Sequence, residues 1–163
     1  MRSFDIVALA ASAGGLNALT HVLQALPPDF AASIVVVQHL DPRHRSLMAD
    51  ILGRRTGLKV KEAEQGDRVS AGTVMIAPPN NHLLVNQDGS LTLTQTELVH
   101  FVRPSADLLF ESTAASYRER AIAVVLSGTG SDGPRYSTRI ASAITYSFAA
   151  SVKRTTSVLP TTS

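Results

Sequence analysis

The chain has 163 residues, 44% hydrophobic and 17% charged, with no cysteine; this fits one domain with a well-filled core and excludes disulfides, thiolate metal sites and a cysteine nucleophile. No apolar run approaches the ~20 residues of a membrane span, so no direct membrane insertion is expected. The formal charge of +2 comes from residues 133–163, with 4 Lys+Arg and no acid, whereas residues 1–132 hold 11 Lys+Arg against 13 Asp+Glu; four scattered cations without interleaved aromatics are a weak footprint for nucleic acid, and none is expected as a partner.

At the start, Asp5 precedes a short apolar run and no small-residue cleavage site follows, so residues 1–5 make a poor signal peptide and a cytoplasmic location is expected. Phe4 to Ala10 reads as a buried strand. After Gly14 and Gly15, the helical spacing of Leu16, Leu19, Val22, Leu23 and Leu26 predicts a helix that Pro27-Pro28 stops. Ser33 to Gln38 is apolar without alternation, as a parallel strand covered on both faces should be. A helix is predicted from Ser46 to Arg54, where Arg54-Arg55 suits the dipole at its end.

The middle of the chain changes character. Lys59–Glu62, Thr73–Ala77, Leu83–Asn86 and Leu91–Thr94 are short strands between turn signals, and Asp88-Gly89-Ser90 predicts a hairpin between the last two. Lys61, Glu62 and Glu64 read as surface charge. A helix follows from Ser105, its N-cap, to Tyr117, with Leu108, Leu109 and Ser112 towards the core. Ala121 to Leu126 is a third unbroken apolar strand, closed by the glycine-rich Ser127–Gly133. Beyond it, Arg135–Ala141 suggests a helix and Ile144–Phe148 a strand, while residues 149–163 lack any period. Alternating strands and helices imply an α/β fold, a doubly wound and mostly parallel sheet with helices on both faces in a Rossmann-like three-layer arrangement, with a β-hairpin excursion in the middle. The domain is expected to span residues 4–148, with 149–163 an irregular or disordered tail.

Three polar clusters follow the three most hydrophobic strands: Ala11–Gly15, Gln38-His39 and Gly128–Gly133. In open α/β sheets ligands bind outside the carboxyl ends of strands, so residues distant in sequence can meet there. Ser12, between a strand and a helix start, has the setting of a nucleophile, with glycines that allow close backbone approach and N–H groups that favour developing negative charge. Taken alone it reads equally as a helix cap. His39 suits a general base and acid, or a solvated loop residue. Asp132 suits the carboxylate that orients such a histidine, or a turn aspartate. Arg43 and Arg45 suit either steering of an acidic partner or a solvated loop. The Gly pair lacks G-x-G-x-x-G spacing, and no histidine pair has metal-ligand spacing, so neither a dinucleotide nor a metal is expected.

The blocks Ala10-Ala11-Ser12-Ala13-Gly14-Gly15, Val37-Gln38-His39, Lys61-Glu62-Ala63-Glu64, Ile76-Ala77-Pro78 with His82, Arg103-Pro104-Ser105, and Ser127–Gly133 together resemble the CheB family, the chemoreceptor protein-glutamate methylesterases. The blocks stand in the family's order over about residues 4–133. The resemblance implies hydrolysis of γ-glutamyl methyl esters on the cytoplasmic helices of methylated chemoreceptors, releasing methanol, and some members also deamidate receptor glutamines. It places the nucleophile on Ser12, the histidine on His39 and the aspartate on Asp132. It also implies main-chain oxyanion or positioning donors around Ala13, Gly14, Thr129 and Gly130, where many members carry methionine at 129 and threonine at 13. No cofactor is implied, since ester hydrolysis by a triad needs only water.

The chain begins at the first strand, so the family's receiver domain, and with it phosphorylation gating, is expected to be absent. After Gly133 no further family block is recognisable, and 12 Ser/Thr without an acid in residues 133–163 read as a frameshift or truncation, which sequencing the encoding DNA around codon 133 would test. Two other readings remain at this stage: a binding or scaffolding module that keeps the fold without turnover, and an esterase of other specificity.

Overall fold

The computed structural model describes residues 4–11, 15–38, 47–96 and 104–126. Five strands, β1 (Ile6–Ala11), β2 (Ser33–Gln38), β3 (Lys59–Glu62), β4 (Thr73–Ile76) and β7 (Ala121–Leu126), form one sheet in the order β3-β4-β2-β1-β7. Every pairing in it is parallel. β5 (His82–Val85) and β6 (Leu91–Thr94) form a separate antiparallel hairpin. The helices are α1 (Gly15–Gln24), α2 (Met48–Gly53) and α3 (Ala106–Tyr117), and one turn of 3-10 helix, Arg118–Arg120, leads into β7.

All six residues of β2 are buried, because both faces of the sheet are covered. Leu9, Ala11, Ile34, Val36, Val74 and Ile76 pack with Leu19 and Leu23 of α1 and with Met48 and Leu52 of α2. Ile6, Ala8, Ala10, Val35, Val37 and Met75 pack with Leu109 and Phe110 of α3 and with Leu83, Val85 and Leu91 of the hairpin. The architecture is therefore the expected doubly wound, three-layer one, and each buried Leu or Ile stabilises it by roughly 1.5–3 kcal/mol.

The hairpin turn is held by Asp88, whose Oδ1 accepts from the backbone N–H of Ser90 at 2.9 Å and from its hydroxyl at 2.6 Å. Gly89 takes φ +81° there, a left-handed conformation that glycine adopts without strain. Ser112 of α3 accepts from the Val85 N–H at 3.0 Å, and Ser116 donates to the Val85 carbonyl at 2.8 Å, so α3 closes part of the free edge of β5. Along the outer edge of β6, the Gly66 N–H donates to Leu91 O, and the Leu91 N–H donates to Asp67 O at 2.7 Å.

Several boundaries differ from the sequence reading. Phe4 is 40% exposed and precedes β1, which starts at Ile6. Asn86 belongs to the turn, where its side-chain amide donates to Ser90 and Thr92, so β5 ends at Val85. Of the three α3 residues expected inward, only Leu109 is fully buried; Ala106, Phe110 and Thr113 complete that face. Leu108 and Ser112 are half-buried, and the Ser112 hydroxyl is engaged at the β5 edge. Ser105 does cap α3, accepting from the Leu108 N–H. The expected Ser46 helix start, the elements at 135–141 and 144–148, and the tail at 149–163 lie outside the described residues.

Candidate active site

The strand order reverses at β1: the chain leaves β1 for β2 on one side and returns to β7 on the other. In sheets of this kind the crevice at the reversal, outside the carboxyl ends, is where ligands bind. At that edge Ala11 is in register with Gln38 of β2 and with Leu126 of β7. Neighbouring strands lie roughly 4.8 Å apart, so three chain ends converge. Ala11 immediately precedes Ser12, Gln38 immediately precedes His39, and Leu126 comes six residues before Asp132. Ser12, His39 and Asp132 themselves, with Ala13, Gly14, Thr129, Gly130, Arg43 and Arg45, lie outside the described residues.

The start of α1 is packed tightly against this edge. A Cβ on Gly15 would stand 2.5 Å from the Ala11 Cβ and 3.6 Å from the Gln38 Nε2. The close neighbour of Gly15 is thus the protein's own strand end, which corrects the reading of this glycine as space for a substrate. The first N–H groups of a helix have no intrahelical acceptor and carry the positive end of its dipole. In α1 that end is Gly15, beside Ala11 and Gln38.

Two residues of the matched blocks, Gln38 and His82, are buried, which the sequence did not indicate. Gln38 is 92% buried (8% relative exposure) on the face that α1 and α2 cover, following Ile34 and Val36 along the same side of β2. Its only sequence signal was a polar residue closing an apolar strand. His82 is fully buried, and its Nδ1 accepts from the Ser105 N–H at 3.0 Å. It ties the hairpin to the N-terminus of α3, which is a structural role.

The displaced titrations belong to turns. Asp67 accepts the Glu64 N–H and pairs with Lys61 at 2.9 Å, so its carboxyl is held below the ordinary value, and Asp67 in turn raises Lys61. Lys61 is a surface charge, as expected, and it also anchors the turn after β3. Asp88 is lowered by the hydroxyl and N–H of Ser90. β4 and β2 separate Lys61 from β1. Among the described residues no three His, Asp or Glu side chains gather in a metal-binding cluster, and no helix is long and apolar enough to cross a membrane.

A parallel sheet whose strand order reverses at β1, with three strand ends in register there, defines a doubly wound α/β protein. The chain belongs to the CheB methylesterase family, whose model matches residues 7–159, past the Gly133 beyond which no family block is recognisable in the sequence itself. A relative in Leptospira interrogans is 39% identical over 131 residues, covering 80% of this chain and 68% of the relative. A protein-glutamate methylesterase/protein-glutamine glutaminase of Symbiobacterium thermophilum is 39% identical over 80% of this chain, and one of Cupriavidus pinatubonensis is 44% identical over 78%. The alignments cover 36% and 38% of those two longer proteins. The crystal structure of the Thermotoga maritima CheB methylesterase catalytic domain superposes with a TM-score of 0.75 at 36% identity, covering 87% of this chain and 77% of that one.

Proposed function

We propose that this chain hydrolyses glutamate γ-methyl esters on the cytoplasmic helices of methylated chemoreceptors, with Ser12 as nucleophile, His39 as general base and acid, and Asp132 orienting the histidine. The observation that carries the reading is the register of Ala11, Gln38 and Leu126 at the sheet reversal, in a chain of this family. The relatives' names support a hydrolase rather than a binding module or an esterase of unrelated specificity, and they extend to glutamine deamidation. The working location is the cytoplasm, where the substrate helices lie.

In the first half-reaction the Ser12 hydroxyl oxygen adds to the γ-carbonyl carbon as His39 takes its proton. The tetrahedral intermediate then expels methanol, which leaves with that proton, and an acyl-enzyme remains. Water, activated by His39, adds to the acyl carbon, and collapse releases glutamate and restores Ser12. Backbone N–H groups around Ala13, Gly14, Thr129 and Gly130 are the proposed stabilisers of the oxyanion, helped by the dipole of α1. No cofactor takes part. The test is methanol release from a methylated receptor fragment by the wild type and by Ser12→Ala. Loss of kcat on the order of 10⁴-fold or more is expected; equal rates overturn the assignment.

A further inference from the structure

We infer that the outer face of α2 is a docking surface for the receptor helix, an acidic amphipathic helix held there beside its reacting ester. The inference deepens the function proposed above and rests on it. Met48 and Leu52 of α2 are buried in the core, whereas Leu47, the residue before the helix, is 60% exposed and Ile51 is 41% exposed. The Ile51 N–H donates to the Leu47 carbonyl at 3.0 Å, so the two side chains stand one turn apart on one face. The other large exposed apolar residues among those described, Phe4 and Val125, lie apart, before β1 and in β7. A single exposed apolar side chain is ordinary, but an aligned pair is the start of an interaction surface. The face continues into Arg54 and Arg55, three and four positions after Ile51 and both exposed. Neither is paired with a carboxylate among the described residues. The helix dipole accounts for cations at this end, though not for the apolar pair beside them. Asp50 is the one acid exposed on α2.

The position of α2 in the fold brings this face within reach of a bound substrate. The helix packs over β3, where a Cβ on Gly53 would stand 3.7 Å from that of Val60. Gly53 comes six positions before Lys59, the first residue of β3, so α2 ends towards the amino edge of the sheet. Its start, with Leu47, therefore points towards the carboxyl edge, where the chemistry is proposed. β3 is three strand spacings from β1, about 14 Å. A helix rises roughly 1.5 Å per residue, so a substrate helix laid along that edge with its ester at β1 meets α2 about ten residues away. Such a helix carries glutamates wherever its esters have been hydrolysed. Leu47 and Ile51 supply the apolar contact, and Arg54 and Arg55 attract the carboxylates from about a Debye length away. Attachment to a lipid surface scales with the apolar area buried, and two side chains supply little, so a protein helix is the favoured partner.

The probe is a synthetic helical peptide of roughly 24 residues, with one central glutamate γ-methyl ester and glutamates about ten residues to either side. Its affinity is measured by fluorescence anisotropy in a Ser12→Ala background, free of turnover, and methanol release is measured in the wild-type background. Arg54→Glu with Arg55→Glu is expected to weaken binding about tenfold at low salt and less than about threefold near 0.5 M salt, where exposed charges are screened. Leu47→Ser with Ile51→Ser is expected to weaken it about fivefold or more at both salt concentrations, because apolar contact is not screened. In methanol release both losses are expected in KM. Unchanged low-salt affinity in either double variant overturns the docking, as does a loss confined to kcat. Binding to phosphatidylglycerol vesicles that depends on α2, with peptide affinity unaffected, also overturns it and makes a membrane the partner. No methanol release by the wild type would sink the esterase reading itself, whereas release with affinity indifferent to α2 sinks only the docking.

Discussion

Gly15 shows how one missing methyl group sets the approach of a helix to a strand. Carbon atoms rest at roughly 3.5–4.0 Å, and an alanine there would bring its Cβ to 2.5 Å from that of Ala11. Alanine would ordinarily improve a helix, but by at most about 1 kcal/mol. Overpacking typically costs about 1–3 kcal/mol, so the steric term wins. Gly15→Ala is accordingly expected to lower the urea midpoint, and Ala11→Gly in the same chain to recover most of the loss. A Gly15→Ala protein as stable as wild type would mean that α1 shifts freely along the sheet.

The helix and hairpin units owe their docking to hydroxyl groups as much as to apolar surface. Two hydrogen bonds from α3 to β5 converge on Val85, its N–H on Ser112 and its carbonyl on Ser116. Each is worth roughly 0.5–1.5 kcal/mol, and the two share a partner, so their losses should not add simply. Amide hydrogen exchange at Val85 is expected to quicken in Ser112→Ala, which strips its acceptor, and to change much less in Ser116→Ala. Equal exchange in both would show that packing alone protects this edge. The elements themselves were legible because their signals are local: β2 in an unbroken apolar run, the cap of α3 in Ser105, and the hairpin in Asp88-Gly89-Ser90. What could not be read was which side of α3 faces inward. That depends on where Ser112 finds Val85, a partner 27 residues away.

For the whole molecule, the strand order was legible only as a class. Alternation of strands and helices implies a parallel sheet, but no local pattern says that β3 and β4 lie beyond β2 while β7 returns to flank β1. The burial of Gln38 at the end of β2 follows from that arrangement, which is why its polar side chain gave no sign of being enclosed. The turn charges make stability depend on pH. Asp67 titrates below its ordinary value, so its contribution is complete above the ordinary aspartate pKa near 4 and fades as pH falls through the lower folded value. Lys61 is raised, so its contribution is complete below the ordinary lysine value and fades only as pH rises through the higher folded one. Thermal melts should therefore drop below about pH 4 in the wild type, and Asp67→Asn should flatten part of that drop. Identical melting profiles would assign the acid sensitivity to other carboxylates.

The pairing of β1 with β7 also bears on the order in which the molecule comes into being. Asp5, just before β1, bonds through its side chain to Arg120, just before β7, across 115 positions of chain. Closing so large a loop is entropically slow, and parallel sheets built from distant partners belong with the slower folders. During synthesis β1, α1 and β2 emerge well before their partner on the other flank. The crevice at the reversal of the sheet can form only when β7 arrives, so a nascent chain holds a scaffold long before it holds a completed site.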